Sequence, residues 1–253
     1  MRLFIYTLIL AIGFTSCTPN KKELNNLTIA TSANMQFVIH ELCEQFSHKT
    51  GIECTLVVAS SGKLTAQIIK GAPYDVLVAA NMKYPNEIVK WGINNSQPKV
   101  YALGQLALWT AKKDTPVSFD LLNDSTCKHI AIANPASAPY GVAAIETLEK
   151  TGQLTDLKDK LVYGESISQC NQFVLSKNAD VGFTALSVVL SPKLKGKGSW
   201  MVVDTSYYNP LEQGIVTIKR ENGNTAGATK FYEYIFSSEA KDILKDFGYL
   251  VNE

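Results

Sequence analysis

Short runs of β-branched and apolar residues alternate with segments of helical period from Leu27 onward, and this alternation constrains the fold more than any other feature. A strand followed by a helix and a second strand is typical of βαβ units around a parallel sheet. One series of predicted strands and helices covers 27–31, 34–49, 54–59, 63–70 and 74–80, and a second covers 129–133, 141–150, 161–163, 168–177 and 181–184. The sequence therefore predicts an α/β chain with two lobes.

Two extended apolar segments, 100–110 and 213–218, stand where the chain would leave the first lobe and return to it. We expect them to pair as hinge strands. The segment 225–247 has helical period and is predicted to be a helix that packs back on the first lobe. These patterns assign residues 27–103 plus 213–253 to lobe I and residues 104–212 to lobe II.

Composition excludes several classes of protein. With 253 residues, 46% of them hydrophobic and 19% charged, the chain can bury one large core or two modest ones. A net charge of +1 removes the electrostatic basis for nucleic-acid binding, which requires a basic face that displaces counterions from phosphates. No nucleic-acid partner is predicted.

The N-terminus is typical of an exported protein. A basic start at Arg2 precedes a run of about a dozen apolar residues, too short to cross a bilayer, and then the small residues before Cys17. This pattern resembles a bacterial lipoprotein signal, in which the cysteine is lipidated and begins the mature chain; the alternative is a plain secretory signal. We expect residues 1–17 to be the signal peptide, Cys17 the lipidation site and 18–26 a flexible tether that leaves an exported, membrane-anchored protein.

The remaining cysteines indicate disulfides rather than a metal site. An exported protein can oxidise its thiols, but four cysteines allow three pairings between which the sequence does not decide. Neither a CxxC nor an HxxxH spacing occurs, so no residue is predicted to bind a metal cation directly. The cysteines concerned are Cys43, Cys54, Cys127 and Cys170.

The functional signal lies where predicted strands give way to helices. Four such junctions, at 31–34, 59–62, 138–141 and 165–168, carry small or hydroxyl residues. The first N–H groups of a helix have no intrahelical acceptor and lie at the positive end of its dipole, so they bind anions. One serine before a helix is most often only an N-cap. Four helix starts from two lobes that meet at one cleft could instead surround a tetrahedral oxyanion without Arg or Lys.

At these residues the chain resembles the periplasmic molybdate/tungstate-binding proteins of bacterial ABC importers. The resemblance runs from about residue 27 to 250 and implies the type II two-lobe periplasmic-binding-protein architecture, an α/β fold in which each lobe is a mainly parallel sheet flanked by helices. It further implies a monomeric, non-enzymatic protein without cofactor that delivers molybdate or tungstate to an ABC transporter permease and its ATPase. The matching stretches are A-S-S-G at 59–62, G-A-P-Y-D-V at 71–76, I-A-N-P at 132–135, A-P-Y-G at 138–141, D-V-G-F at 180–183 and Y-Y-N-P at 207–210.

The resemblance also implies a set of ligand-binding residues. Ser32 and Ser61 match the two hydroxyls that hold the anion from the first lobe, together with their own amides. Ala33 adds an amide on the same side. Tyr140 and Ile167 match positions whose backbone N–H groups donate from the second lobe.

One position departs from the pattern of the resembling proteins. Some of them place a tyrosine hydroxyl on the anion where this chain has Ala185, which has no donor to offer. A site built only of N–H and O–H donors favours a fully deprotonated dianion, because the proton of hydrogen phosphate would lack an acceptor at a penalty of roughly 1–3 kcal/mol. Sulfate shares the charge and shape of molybdate, so a sulfate- or other oxyanion-binding protein of the same fold stays open as an alternative.

A remote alternative is a serine penicillin-recognising enzyme. Ser60 to Lys63 satisfies the S-x-x-K motif, 176–178 resembles S-x-N, and 150–152 spells K-T-G. In those enzymes K-T-G follows S-x-N and lies on a strand beside the nucleophile. Here it comes first and ends a predicted helix, so no catalytic residue is predicted.

Overall fold

A computed structural model describes residues 26–251, and within this range the chain forms ten strands. The predicted signal peptide, Cys17 and nearly all of the predicted tether lie outside the described residues. The strands are β1 (Asn26–Ser32), β2 (Glu53–Ala59), β3 (Val76–Ala79), β4 (Lys99–Gly104), β5 (Leu106–Thr110), β6 (Ile130–Ala133), β7 (Leu161–Gly164), β8 (Val181–Ala185), β9 (Ser199–Val202) and β10 (Leu211–Thr217).

Helices cover both faces of the strands. Among residues 26–251, none is long and apolar enough to cross a membrane. The α-helices are α1 (Val38–Thr50), α2 (Ser61–Ile69), α3 (Lys83–Lys90), α4 (Asp120–Asn123), α5 (Pro139–Lys150), α6 (Leu154–Leu157), α7 (Ile167–Leu175), α8 (Leu186–Val189), α9 (Thr225–Tyr234) and α10 (Ser238–Asp246), with short 3₁₀ helices at Ala33–Met35, Lys158–Lys160 and Thr205–Tyr207.

The strands form two five-stranded sheets with the same plan. The first has the order β2-β1-β3-β10-β4 and the second the order β7-β6-β8-β5-β9. In each, the first three strands are parallel and the last two join antiparallel. The βαβ series of the sequence supplies the parallel strands of each sheet, and β4, β10, β5 and β9 supply the antiparallel ones, so both sheets are mixed.

The predicted extended segment 100–110 is two strands rather than one. It breaks at Gln105, with β4 in the first sheet and β5 in the second. One straight strand cannot hydrogen-bond within two separate sheets, and the break lets the chain change sheet. The Gln105 Nε2 donates to the carbonyl of Gly248 at 2.7 Å, which fixes the crossing point. The expected pairing of the two hinge segments is confirmed, since β4 lies antiparallel to β10.

Side chains of the first sheet alternate between two hydrophobic cores, as the period of a strand requires. Ile29 points into a core with α1, α9 and α10, whereas its neighbour Ala30 points into a core with α2 and α3. Val78 and Leu77 of β3 divide in the same way. The second sheet packs its helices in one large core. Strands such as β3 are buried on both faces, which explains why their sequences are continuous apolar runs.

The closing segment differs from its prediction. Instead of one helix over 225–247, the chain forms α9 and α10, because Ser237 begins a new helix by accepting a hydrogen bond from the N–H of Ala240. The helix α3 and the strand β9 were not predicted at all. Pro85 lies in the first turn of α3, where a missing N–H is tolerated, although a proline in sequence argues against a helix.

Candidate anion-binding site

A small pocket lies between the two sheets, outside the carboxyl ends of their parallel strands. Its cavity volume is about 10 Å³, room for roughly one water-sized sphere and far below the roughly 300–1,000 Å³ of pockets for drug-sized ligands, so it suits only a small ligand. All five residues that the sequence singles out lie around it. The lining comprises Ser32, Ala33, Asn34, Ser60, Ser61, Ala80, Ala138, Pro139, Tyr140 and Ile167.

Two serine hydroxyls face the pocket from the first sheet. Ser32 ends β1 in an extended conformation, and its Oγ is buried without a hydrogen-bond partner among the described residues. Ser61 is the first residue of α2, after Ser60 as N-cap. Its Oγ accepts a hydrogen bond from the N–H of Ala80 at 3.0 Å, which leaves its own hydrogen to donate. Both hydroxyls can therefore donate to an acceptor in the pocket.

Two helix starts face the pocket from the second sheet. Ala138 is the extended N-cap of α5, and Pro139 occupies its first position, where the lack of an N–H does no harm. Tyr140 follows and is 2% exposed. Ile167 opens α7 after the extended Ser166 and is 3% exposed.

Backbone amides are the donors that these helix starts share. The first N–H groups of a helix have no partner within it. Ala33, Ser61, Tyr140 and Ile167 each stand in the first two positions of a helix at the pocket. Donors from both sheets, two hydroxyls among them, therefore surround one small volume.

The lining carries no ionisable charge, since all ten residues have neutral side chains. Burial raises the pKa of the Tyr140 hydroxyl well above its usual range, so the ring stays neutral at physiological pH. Lys63 and Glu165 are close in sequence to the lining residues and form an ion pair of 3.1 Å between the two sides of the pocket. Both side chains are at least half exposed. Glu165 thus points into solvent, as expected, and holds the Lys63 ammonium there. No cationic side chain lines the pocket, so its electrostatic field comes chiefly from oriented dipoles.

Hydrogen bonds close the rim of the pocket between the two sides. The Gly62 N–H donates to the carbonyl of Ser137 at 2.9 Å, and the hydroxyls of Ser60 and Ser137 lie 3.3 Å apart. The Ser168 hydroxyl donates to Gln36 Oε1 at 2.5 Å. Both sides are thus already in contact around the pocket, in the closed arrangement of a clamp.

A buried polar network lies behind the pocket, and sequence reasoning missed it. Asn34 donates through Nδ2 to Gln213 Oε1 and to the Tyr249 hydroxyl, both at 2.8 Å. From the second sheet, the Ser187 hydroxyl donates to the carbonyl of Asn34 at 2.8 Å and lies 3.2 Å from the Tyr249 hydroxyl. The network ties the helix start after β1 to β10, to the C-terminal segment and to α8.

Ala185 is fully buried as the N-cap of α8, and its methyl group offers no donor. Tyr140 does not replace the missing hydroxyl, because its ring reaches toward the hinge. A Cβ placed on Gly104 would lie 2.2 Å from the Tyr140 hydroxyl oxygen. Gly104 therefore leaves the space that this tyrosine fills, and Tyr140 faces the pocket through its backbone.

Comparison with known proteins agrees with this arrangement. The family model of bacterial extracellular solute-binding proteins matches residues 27–250. The molybdate-binding protein ModA of Azotobacter vinelandii is 35% identical over 246 residues, which cover 95% of this chain and 94% of that protein. ModA of Rhodobacter capsulatus is 36% identical, with 87% and 86% covered.

A solved structure is similar over the same range. The periplasmic molybdate-binding protein of Azotobacter vinelandii superposes with a TM-score of 0.84 at 32% identity and covers 90% of this chain and all of that one. The two mixed sheets and their helices are thus the fold of a known periplasmic binding protein. This chain belongs to the family of bacterial extracellular solute-binding proteins.

Proposed function

We propose that this protein captures molybdate or tungstate outside the cytoplasm and delivers the ion to the permease and ATPase of an ABC importer. The observation that carries the proposal is a pocket of neutral donors, gathered from helix starts on both sheets, in which the Ser32 hydroxyl is buried without a partner. A buried hydroxyl that lacks a partner is unfavourable, and an anion in the pocket would satisfy it. Relatives named as molybdate-binding proteins support the choice of ion.

Ser32, Ala33, Ser61, Tyr140 and Ile167 are the proposed ligands. The serines would donate through hydroxyl and amide, and the other three through their amides. In a pocket closed to water each of these bonds acts more strongly than in solvent, so several neutral dipoles can replace a counter-charge.

The donor set also favours a fully deprotonated dianion. The ten lining residues include no carboxylate to accept a proton from hydrogen phosphate. Sulfate satisfies the same donors but is smaller than molybdate. The ranking of molybdate over sulfate therefore depends on the size of the closed pocket.

The proposal also covers the state of the protein. We expect an exported monomer held to the membrane by a lipid on Cys17, with lobe I formed by residues 27–103 and 213–253 and lobe II by 104–212. The ion would bridge the lobes and stabilise the closed state that the permease recognises.

An enzymatic role has less support. In a penicillin-recognising enzyme the lysine of S-x-x-K lies beside the serine nucleophile. Here the Lys63 ammonium is engaged by Glu165, and the Ser60 hydroxyl lies beside that of Ser137. Lys150 of the K-T-G stretch donates to the carbonyl of Ser206 at 2.8 Å instead of facing Ser60.

Thermal unfolding with added oxyanions tests the proposal. A ligand present at 1,000 times its dissociation constant stabilises the folded state by about 4.1 kcal/mol. At roughly 2–4 °C per kcal/mol for a chain of this size, this raises the Tm by about 8–16 °C. Molybdate and tungstate should give this shift at 1,000 times their dissociation constants, and phosphate at the same concentration should give a far smaller one. A larger Tm shift with sulfate would make sulfate the ligand instead of molybdate. The absence of a Tm shift with every oxyanion would contradict the assignment of the pocket as an anion-binding site.

A further inference from the structure

Two cysteines of the first sheet lie side by side, away from the pocket. Cys43 is on α1 and Cys54 is the second residue of β2, and both belong to the core between that helix and the sheet. The two side chains are near enough for each to shift the pKa of the other, and Ser47 lies beside them. A shallow surface depression, lined by His40, Cys43, Ser47, Cys54 and others, opens this pair to solvent.

We propose that Cys43 and Cys54 form a disulfide in the exported protein. The inference rests on the proposed export, because disulfides persist in oxidising compartments. Because the two thiols adjoin in one core and line one depression, side-chain rotation is the movement that brings their sulfurs to bonding distance, while the packed helix and strand hold the backbone.

The reaction is thiol–disulfide exchange with an external disulfide oxidant, either a small molecule or a protein. Cys54 is the more exposed of the two, and the hydrogen bond from Cys43 lowers its pKa, so its thiolate attacks one sulfur of the oxidant and expels the other as a thiolate. Cys43 then loses its proton, attacks the Cys54 sulfur and expels the second thiol. Two protein thiols are oxidised and one external disulfide is reduced to two thiols.

The other two described cysteines have different surroundings. Cys127 lies ahead of β6 near Asp180 and Lys160. Cys170 lies on α7 against Gly164, and burial raises its pKa to about 12. Only one of the three full pairings of these four cysteines contains the bond between Cys43 and Cys54, and the proposal takes that bond alone, with Cys127 and Cys170 as free thiols.

Metal binding is the competing use of two neighbouring thiols. Within residues 26–251, no group of three or more His, Cys, Asp and Glu side chains is arranged to hold a metal ion. His40, Glu44, His48 and Glu53 also line the depression, but they are not grouped with the two thiols as the ligands of a structural zinc site would be.

The proposed bond lies at the far end of β2 from the anion pocket. Cys54 is near the start of the strand and Ser60 follows its end, a separation of about 20 Å at 3.3 Å per residue. The disulfide should therefore stabilise the first sheet without changing oxyanion binding. Peptide mapping therefore tests the disulfide, and oxyanion binding tests the proposed function, so the failure of one can be told from the failure of the other.

Peptide mapping of the full chain tests the bond directly. The folded protein is treated with glutathione disulfide, free thiols are blocked with an alkylating reagent, and the product is digested with trypsin without reduction. Trypsin cuts after Lys49, between the two cysteines, so the bond would join peptides 23–49 and 50–63. Cys127 and Cys170 fall in the separate peptides 114–128 and 161–177 and should carry the alkyl group.

Variants complete the test. Cys54→Ser should abolish the joined peptide, and Cys127→Ser, the matched control, should keep it. Reduction should lower the Tm of the oxidised wild type by about 5–10 °C and leave that of Cys54→Ser unchanged, while the affinity for molybdate stays within twofold in both. Alkylated Cys43 and Cys54 after oxidation of the folded protein, or a joined peptide from any other pair at an equal rate, would overturn the proposal.

Discussion

At the scale of single residues, Ser61 links the fold to the proposed site. Its Oγ accepts from the Ala80 N–H, which comes just after β3, and this bond turns the hydroxyl hydrogen toward the pocket. Ser61→Ala removes the donor and leaves the Ala80 N–H without its acceptor. Since a hydrogen bond to a charged group contributes about 1.5–3 kcal/mol, molybdate affinity should fall roughly 10- to 150-fold by isothermal titration.

Ser176→Ala is the control for Ser61→Ala. Ser176 follows α7 at the far end from the pocket, and its hydroxyl only caps a carbonyl of its own helix. Its loss should leave affinity unchanged. If Ser61→Ala and the wild type bind molybdate with equal affinity, Ser61 is not a ligand of the ion.

Gly141 is required by close packing between α5 and β6. A Cβ at this position would lie 1.9 Å from the carbonyl oxygen of Ala133. Gly141→Ala must therefore push the start of α5 away from the sheet, and the Tyr140 amide moves with it. Overpacking of this kind destabilises by about 1–3 kcal/mol, so urea unfolding should occur at a lower midpoint and molybdate should bind more weakly. Val142→Ala, at the exposed neighbouring position, should change neither by a comparable amount.

Sequence reasoning reached the pocket residues but not the network behind them. Ser32 and Ser61 could be found because each follows a predicted strand, and the ends of parallel strands meet at one edge of a sheet. Asn34 and Tyr249 are 215 positions apart, and Asn34 and Ser187 are 153 apart. No local pattern marks such pairs, because tertiary packing alone brings their members together: Tyr249 packs in a core of the first sheet, whereas Ser187 lies on α8 against the second.

At the scale of elements, hydrophobic period identified the parallel strands and their helices to within a few residues. It failed where tertiary contacts decide the outcome. The segment 100–110 is uniformly apolar on both sides of Gln105, so nothing local marks the change of sheet. The helix break at Ser237 has a local signal, a serine three residues before the amide that it caps, yet the apolar period continues across it.

The starts of α2 and α7 are also linked by charge. Lys63 and Glu165 form an ion pair between the two sides of the pocket, with side chains 50% and 72% exposed. Exposed pairs contribute at most about 1 kcal/mol, and salt screens them. Lys63→Met, Glu165→Gln and the double variant should therefore change molybdate affinity no more than about fivefold at low salt, with a smaller effect at 0.5 M salt.

Lys63 and Glu165 have opposite effects on an anion, so a double-mutant cycle can separate their contact with each other from their effects on the ion. Loss of Lys63 removes attraction and loss of Glu165 removes repulsion, and a non-additive double variant isolates their contact in the closed state. A loss of more than 100-fold in Lys63→Met would show that a cationic side chain holds the ion. That result would contradict binding by neutral dipoles.

At the scale of the whole molecule, two similar sheets meet around a pocket that neither forms alone. Single hydrogen bonds, such as that from the Gly62 N–H to Ser137, and the exposed ion pair of Lys63 with Glu165 close the rim. Without an ion, a rim of this kind opposes opening only weakly. An ion that bonds both sides makes the closed state favourable in proportion to those additional contacts.

Hydrogen exchange at the Gly62 amide reports this closure. The amide donates to the Ser137 carbonyl across the pocket, so it exchanges when the two sides separate. If the open state does not hold the ion, molybdate at 1,000 times its dissociation constant lowers the open population about a thousandfold, and exchange should slow by up to that factor. Amides at the frayed ends of α9, remote from the pocket, should exchange at the same rate with and without the ion. Unchanged exchange at Gly62 under saturating molybdate would mean that the ion binds without bridging the two sheets, and the clamp mechanism would then be wrong.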